Sequence, residues 1–223
     1  MSFVVAIDGP AGTGKGTITK LVSEELGLIN IDTGAMYRCV TLEALRNNIN
    51  EKEIERLEEL LKDIKIEFKR DGSNITVFLN NEDVTDEIRT PKVNEWVAKY
   101  AAVKCVRDKM TPLQQEMGRL GNIIMEGRDI GTAVFPNADV KIYLDASVEE
   151  RANRRYKQNI EKGINQTYEE VLESIKQRHI LETTRKINPL RKAEDAILVD
   201  STTLTIEQVK DKVIEIIKEK MNV

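Results

Sequence analysis

The segment FVVAIDGPAGTGKGTITKLVSEEL, Phe3 to Leu26, constrains the fold more than any other part of the chain. FVVAID reads as a buried strand, GPAGTGKGT as a glycine-rich turn from Gly9 to Thr17, and TITKLVSEEL as a helix. Strand, loop and helix around G-x-x-x-x-G-K are the setting of a phosphate-binding loop. Glycines let successive backbone N–H groups turn inward as an anion nest, and the helix N-terminus adds partial positive charge. Lys15 reaches the outer phosphates as a point charge. Gly16 stands where a serine or threonine is usual, and Thr17 follows. The hydroxyl that ordinarily meets magnesium is therefore displaced by one position.

Further buried strands are read at LINI (28–31), 122–125, 140–144 and AILVDST, with helical patterns between them. Strands separated by helices imply an α/β fold with a parallel sheet covered on both faces. TGAMYRCVTLEALRNN reads as a helix. So does 51–64, with an apolar stripe at Ile54, Leu57, Leu60, Leu61 and Ile64. The period then changes to two: KIEFKR and ITVFLN alternate around DGSN, a hairpin within a small insertion from Lys65 to Arg89. Helical patterns resume at Pro91. Thr111-Pro112-Leu113-Gln114 reads either as a capping box with proline at the first helical position or as a kink. Ser147-x-x-Glu150, Thr167-x-x-Glu170 and Thr205-x-x-Gln208 open three later helices.

Ligands of such sheets lie at the carboxyl ends of the strands. Gly9, Asp32, Gly127 and Asp145 fall there, which sets MEGRDIGTAVFP (Met125 to Pro136) beside the phosphate loop. Arg128 and Asp129 either pair with each other or hold a ligand. Arg151, Arg154, Arg155, Arg178, Arg185 and Arg191 crowd a short stretch and point to a local anionic ligand. Arg154 alternatively belongs to a solvated face with Glu149 and Glu150. A net charge of -4 argues against a polymeric nucleic acid as partner. No apolar run approaches the roughly 20 residues that span a bilayer, and MSFVVAIDGP lacks the pattern of a secretory signal. Two cysteines, Cys39 and Cys105, give neither a disulfide framework nor metal-ligand spacing, so a cytoplasmic location is expected.

The G-K-G-T loop, IDTGAMYR, EGRDIGTAVFPNADVKIYLDAS, RANRRY, QRHILETTRKINPL and VDSTTLTIEQV together resemble the bacterial cytidylate (CMP) kinases of type 1. The resemblance runs from about Phe3 to the last helix, and GRDIGT followed by FP is its most specific part. It implies a P-loop nucleoside monophosphate kinase fold, with a five-stranded parallel sheet flanked by helices, a small antiparallel β insertion and a helical lid. These would form a single domain over residues 1–223: a core at about 1–32, 122–150 and 192–223, a monophosphate-binding region at about 33–121, and a lid at about 151–191. It implies transfer of the γ-phosphoryl group of ATP to CMP and dCMP, with Mg²⁺.

By the same resemblance Gly9, Pro10, Ala11, Gly12, Thr13, Gly14, Lys15, Gly16 and Thr17 would hold ATP, Thr17 meeting the metal through water. Thr33, Arg38, Arg107, Arg128, Asp129, Arg178, Glu182 and Arg185 would surround the acceptor. Arg151 and Arg155 would stand on the lid or adenosine side. Lys15, Arg128 and Arg185 would carry the chemistry, in a monomer with no membrane partner.

The chemistry is consistent with this. Phosphoryl transfer requires alignment and charge neutralisation, and the arginine fork binds phosphate oxygens bidentately. A carboxylate at Asp129 accepts from the cytosine amino group while Arg107 donates to N3 and O2; uracil would set a carbonyl against the carboxylate. Asp129 alternatively positions magnesium through water. The chain departs from the family at Ala98 and Thr33, where serine is common, and in the lid, where R-D-x-x-D-x-x-R is usual and Arg178-His179-Ile180-Leu181-Glu182-Thr183-Thr184-Arg185 stands, with Glu182 one methylene longer than aspartate. The competing readings are a P-loop kinase for UMP, AMP or shikimate, and a nucleotide-controlled switch.

Overall fold

A computed structural model of the protein describes residues 3–71 and 74–221. In chain order the elements are β1 (Val4–Asp8), α1 (Lys15–Leu26), β2 (Ile29–Asp32), α2 (Thr33–Arg46), α3 (Ile54–Asp63), β3 (Ile66–Asp71), β4 (Asn74–Leu79) and β5 (Glu82–Asp83). Then follow α4 (Pro91–Tyr100), α5 (Lys104–Met117), β6 (Ile123–Gly127), β7 (Val140–Asp145), α6 (Val148–Glu161), α7 (Tyr168–Thr184), β8 (Ile197–Asp200) and α8 (Ile206–Met221). The chain forms two compact units, one of residues up to Ile31 with those from Gly118 onward, the other Asp32–Met117.

The first unit is built on a five-stranded parallel sheet in the order β2-β6-β1-β7-β8. β1 lies at its centre, pairing in parallel with β6 and β7, so that Asp8 is level with Gly127 on one side and Tyr143 on the other. Every residue of β1 and β6 is buried, which is why both read as unbroken apolar runs rather than alternating strands. α8 closes one face through Val209, Val213, Ile214 and Ile217, packed with Ile18 and Val22 of α1. Each such side chain contributes about 1.5–3 kcal/mol through burial. α6 and α7 form a second, smaller cluster in which Ala152, Val171 and Ile175 pack with Ala11 of the glycine-rich loop.

The second unit gathers α2, α4 and α5 around a core that includes Met36, Val40, Val93, Val97, Val106 and Met110, with Leu61 of α3 and Val77 and Leu79 of β4 joining it. The hairpin expected around DGSN is present as β3 and β4, in antiparallel register from Ile66–Leu79 to Asp71–Asn74. Gly72 and Ser73 of its turn lie outside the described residues. The short β5 extends the sheet to three strands.

Of the two readings of the segment around Pro112, the capping box is overturned. Thr111-Pro112-Leu113-Gln114 does not open a helix: α5 runs from Lys104 through Pro112 to Met117. Val106 and Met110 before the proline are buried in this core, and Leu113 and Met117 beyond it pack against the same cluster; that packing carries the helix across a residue with no N–H to donate. The three later caps fare better. Thr167 and Glu170 form a full capping box, and Thr205 and Gln208 exchange the same pair of bonds. Ser147 accepts from Glu150 N–H at 3.2 Å, but its own N–H goes to Thr202 Oγ1 instead.

Candidate active site

The site of the first unit starts from the end of β1. Gly9 follows Asp8 at φ +153°, and a Cβ there would lie 2.0 Å from the carbonyl oxygen of Leu144 in β7, so the chain can leave the sheet here only without a side chain. α1 begins at Lys15 with Gly14 as its cap; no side chain caps it and no acidic residue lies in its first turn. Its leading amides therefore receive no cap from a side chain of the helix's own first turn.

The loop is braced from α6. Arg151, buried, donates from Nη1 to Ala11 O at 3.3 Å and from Nε to Ala146 O at 3.1 Å. Arg154 donates to Thr13 O at 3.1 Å and to Ser201 O at 2.6 Å, and pairs with Glu150 at 2.8 Å. A trans peptide points its C=O and the following N–H in opposite directions, so tying down the carbonyls of Ala11 and Thr13 turns the amides of Gly12 and Gly14 the other way. Arg154 is thus more than a member of a solvated face.

Lys15 is buried, and its Nζ donates to Pro10 O at 2.8 Å and to Thr13 Oγ1 at 3.3 Å. Burial pushes its ammonium down to about 7, and the like charge of Arg128 adds to this against Glu126, Glu182 and Asp8. Thr17 is exposed on α1, while Thr19 is buried. A Cβ on Gly16 would lie 3.1 Å from Glu126 Oε1. The place a serine or threonine would fill is thus set against a carboxylate at the end of β6.

GRDIG stands beside this loop, as expected. Beyond Asp129 the chain makes one wide turn, Ile130–Val134, closed by Phe135 N–H to Ile130 O at 2.7 Å. Arg128 and Asp129 each meet a residue at the end of α7 or just beyond it. Arg128 Nε is 2.9 Å from Glu182 Oε2, Arg178 Nε is 2.8 Å from Glu182 Oε1, and Arg185 Nη2 is 3.0 Å from Asp129 Oδ1. Burial alone would raise the Glu182 carboxyl; Arg128 and Arg178 outweigh it and hold the group well below the usual carboxylate range. Arg155 is part-buried near this cluster, its charge disfavoured by burial and then by Arg178 and Arg128. Such a concentration of guanidinium groups is a setting for an anion.

In the second unit Thr33 is buried at the start of α2, and Asp32 caps that helix by accepting from Ala35 N–H at 3.0 Å. Arg38 donates to Asn94 Oδ1 at 3.3 Å. Arg107 is 1 % exposed; it donates to Ala101 O at 3.1 Å and lies over the Tyr37 ring at 5.4 Å. A buried arginine oriented by a carbonyl and an aromatic face is rare outside a structural or binding role. Ala98 is half-buried on α4.

The sequence reading assigned no role to Asp8 or Glu126. Both are acidic residues at the carboxyl ends of adjacent central strands, and that position was the available signal.

The sequence model of the cytidylate kinase family matches residues 5–219. The chain belongs to the cytidylate kinase family. Among curated relatives, the cytidylate kinase of Bacillus subtilis strain 168 is 48% identical over 97% of this chain and 96% of its own. That of Fusobacterium nucleatum is 49% identical over 93% and 94%, and that of Clostridium botulinum strain Langeland 46% over 98% and 99%. A solved structure of an uncharacterized protein from Eubacterium ventriosum shares the fold at a TM-score of 0.53 and 10% identity, covering 98% of this chain and 99% of that one. Membership makes the protein an enzyme of the nucleoside monophosphate kinase type. Among the described residues no helix is long and apolar enough to cross a membrane.

Proposed function

We propose that the protein transfers the γ-phosphoryl group of ATP to CMP and dCMP, yielding ADP and the diphosphates. The observation that carries this reading is the buried cluster of Arg128, Arg178, Arg185, Glu182 and Asp129 at the strand ends next to the glycine-rich loop. A protein that only bound ATP would need the loop and not the cluster.

In this reading Gly9 to Thr17 hold the ATP phosphates, with Lys15 leaving Pro10 O to meet them. Arg128 and Arg185 neutralise charge on the transferring group, and Arg38 and Arg178 hold the acceptor phosphate. Asp129 accepts from the cytosine amino group and Arg107 donates to the ring; Thr33 and Glu182 complete the acceptor side. Arg155 serves the transferring phosphates, and Arg151 acts through the loop it braces. Magnesium, when bound with ATP, supplies charge neutralisation, and the hard oxygens of Thr17 and Glu126 suit it as donors through water. The α6–α7 segment within about 151–191 is the lid that excludes water from the transfer, on a monomer in the cytoplasm.

The test is ADP release from ATP and Mg²⁺ with CMP, dCMP, UMP, AMP and GMP offered in turn. Fast release with CMP and dCMP and much slower release with UMP is expected. Equal rates with CMP and UMP would overturn the assignment of Asp129 and Arg107, and no stimulation by any acceptor would overturn the function.

A further inference from the structure

A turn that begins just after an aspartate is ordinarily capped by that aspartate, because its carboxylate reaches the leading N–H groups at little cost. Asp129 occupies that position before Ile130–Val134, yet its side chain makes no cap hydrogen bond. The leading amides are taken instead by Asp8, 122 and 123 positions earlier in the chain. Ile130 N–H donates to Asp8 Oδ1 at 2.8 Å and Gly131 N–H to Asp8 Oδ2 at 2.7 Å. Asp129 Oδ1 is 3.0 Å from Arg185 Nη2.

The arrangement is built rather than incidental. Asp8 ends β1, whose Val5, Ala6 and Ile7 are 0% exposed, so its carboxylate hangs from the most rigid part of the sheet. A Cβ on Gly131 would lie 3.2 Å from Lys141 Cδ and in ordinary contact, at 3.5 Å, with Asp8 Oδ2, so the Lys141 stem and the Asp8 carboxylate both close on this glycine. Both oxygens are needed, one for each amide.

We propose that Asp8 is a positioning residue for base selection: by capping the GRDIG turn in place of Asp129, it keeps the Asp129 carboxylate out of the local backbone and directed at the acceptor base. This rests on the reading of Asp129 as the group that meets cytosine. Groups facing Asp8 are Lys15 from α1, Arg128 and Asp129 beyond β6, and Tyr143 from β7.

Asp8→Asn keeps the shape but offers one oxygen, and sets an NH₂ against an amide N–H. Asp129 is then the adjacent carboxylate able to cap the turn. The expected result is a fall of about tenfold in the ratio of kcat/KM for CMP to that for UMP, the scale of one good base contact, with KM for ATP within about twofold. In an Asp129→Ala background the same change should leave the ratio where Asp129→Ala put it. An unchanged ratio in Asp8→Asn, or an equal further fall in the Asp129→Ala background, would overturn the proposal. If Asp129→Ala alone leaves the ratio intact, the base reading itself fails and this proposal falls with it. Should Asp8→Asn not fold, the wild-type ratio can be followed with pH. Burial pushes the Asp8 carboxyl up to about 6, so the ratio should fall as the pH drops through that value. Titration of the acceptor phosphate is common to CMP and UMP and cancels. A ratio flat from pH 8 to 5.5 would overturn the proposal.

Discussion

Arg185 and Asp129 form an ion pair of 3.0 Å in which both side chains are 5% exposed. Two residues proposed for different groups, the transferring phosphoryl and the acceptor base, therefore hold each other. Removing one partner leaves the other charge buried. Asp129→Ala should lose roughly 3 kcal/mol, the low end for a broken buried pair, because Arg185 still donates to Asn188 O. Asp129→Asn should lose less. Urea unfolding measures both, and equal midpoints for wild type and Asp129→Ala would show that the pair contributes nothing to stability.

Glu182 has each carboxylate oxygen against a different arginine, Arg178 and Arg128. Glu182→Gln should cost about 3 kcal/mol at neutral pH, the low end for a broken buried pair, since two part-buried guanidinium groups lose the carboxylate they share. The folded carboxyl lies below its ordinary value of 4.5, so its stabilisation is complete above that pH and is lost as the pH falls below it. The stability difference between wild type and Glu182→Gln should accordingly shrink between pH 7 and pH 3.5. A constant difference over that range would contradict the assignment.

Lys15 presents the opposite case. Its ammonium is buried and pushed down to about 7, so the charge is a liability until phosphate arrives. Lys15→Ala should lower kcat by about 10²–10³, the scale of one transition-state donor, without lowering the thermal midpoint. A large fall in the midpoint would make the residue structural.

How much of this was legible in the sequence depended on how local the signal was. β1, the loop and α1 were readable because a strand, a glycine-rich turn and a helix are each encoded within a dozen residues. The hairpin of β3 and β4 was readable because its period is two. Pro112 left two readings open, a helix start or a kink, because local rules do not report the tertiary packing of Val106 and Met110 that carries α5 through it. The cap supplied by Asp8 was not legible at all: it joins positions 122 and 123 residues apart, a separation that no local pattern reports. Likewise the pairing of GRDIG was open between Arg128 with Asp129 and a ligand. The partners the structure shows, Glu182 and Arg185, come from α7 and the residue after it, more than 50 residues on.

Arg154 tests whether bracing the loop from outside matters to what it binds inside. Its guanidinium donates to Thr13 O at 3.1 Å, Ser201 Oγ at 3.1 Å and Ser201 O at 2.6 Å while pairing with Glu150. Arg154→Ala leaves the Thr13 carbonyl only the longer bond from Ser201 Oγ at 3.5 Å, and so loosens the opposed amide of Gly14. Each charge-assisted bond is worth about 1.5–3 kcal/mol, so losing the bond to Thr13 should raise KM for ATP by about tenfold or more. KM for CMP at saturating ATP should move less than twofold, because the bonds of Arg154 go to Glu150, Thr13 and Ser201 and to none of the residues proposed for the acceptor. Arg154→Lys should not rescue, since one ammonium cannot reproduce a planar fork that serves three oxygens and a carboxylate. Equal rises in both KM values would mean that the brace acts on the whole fold and not on the loop.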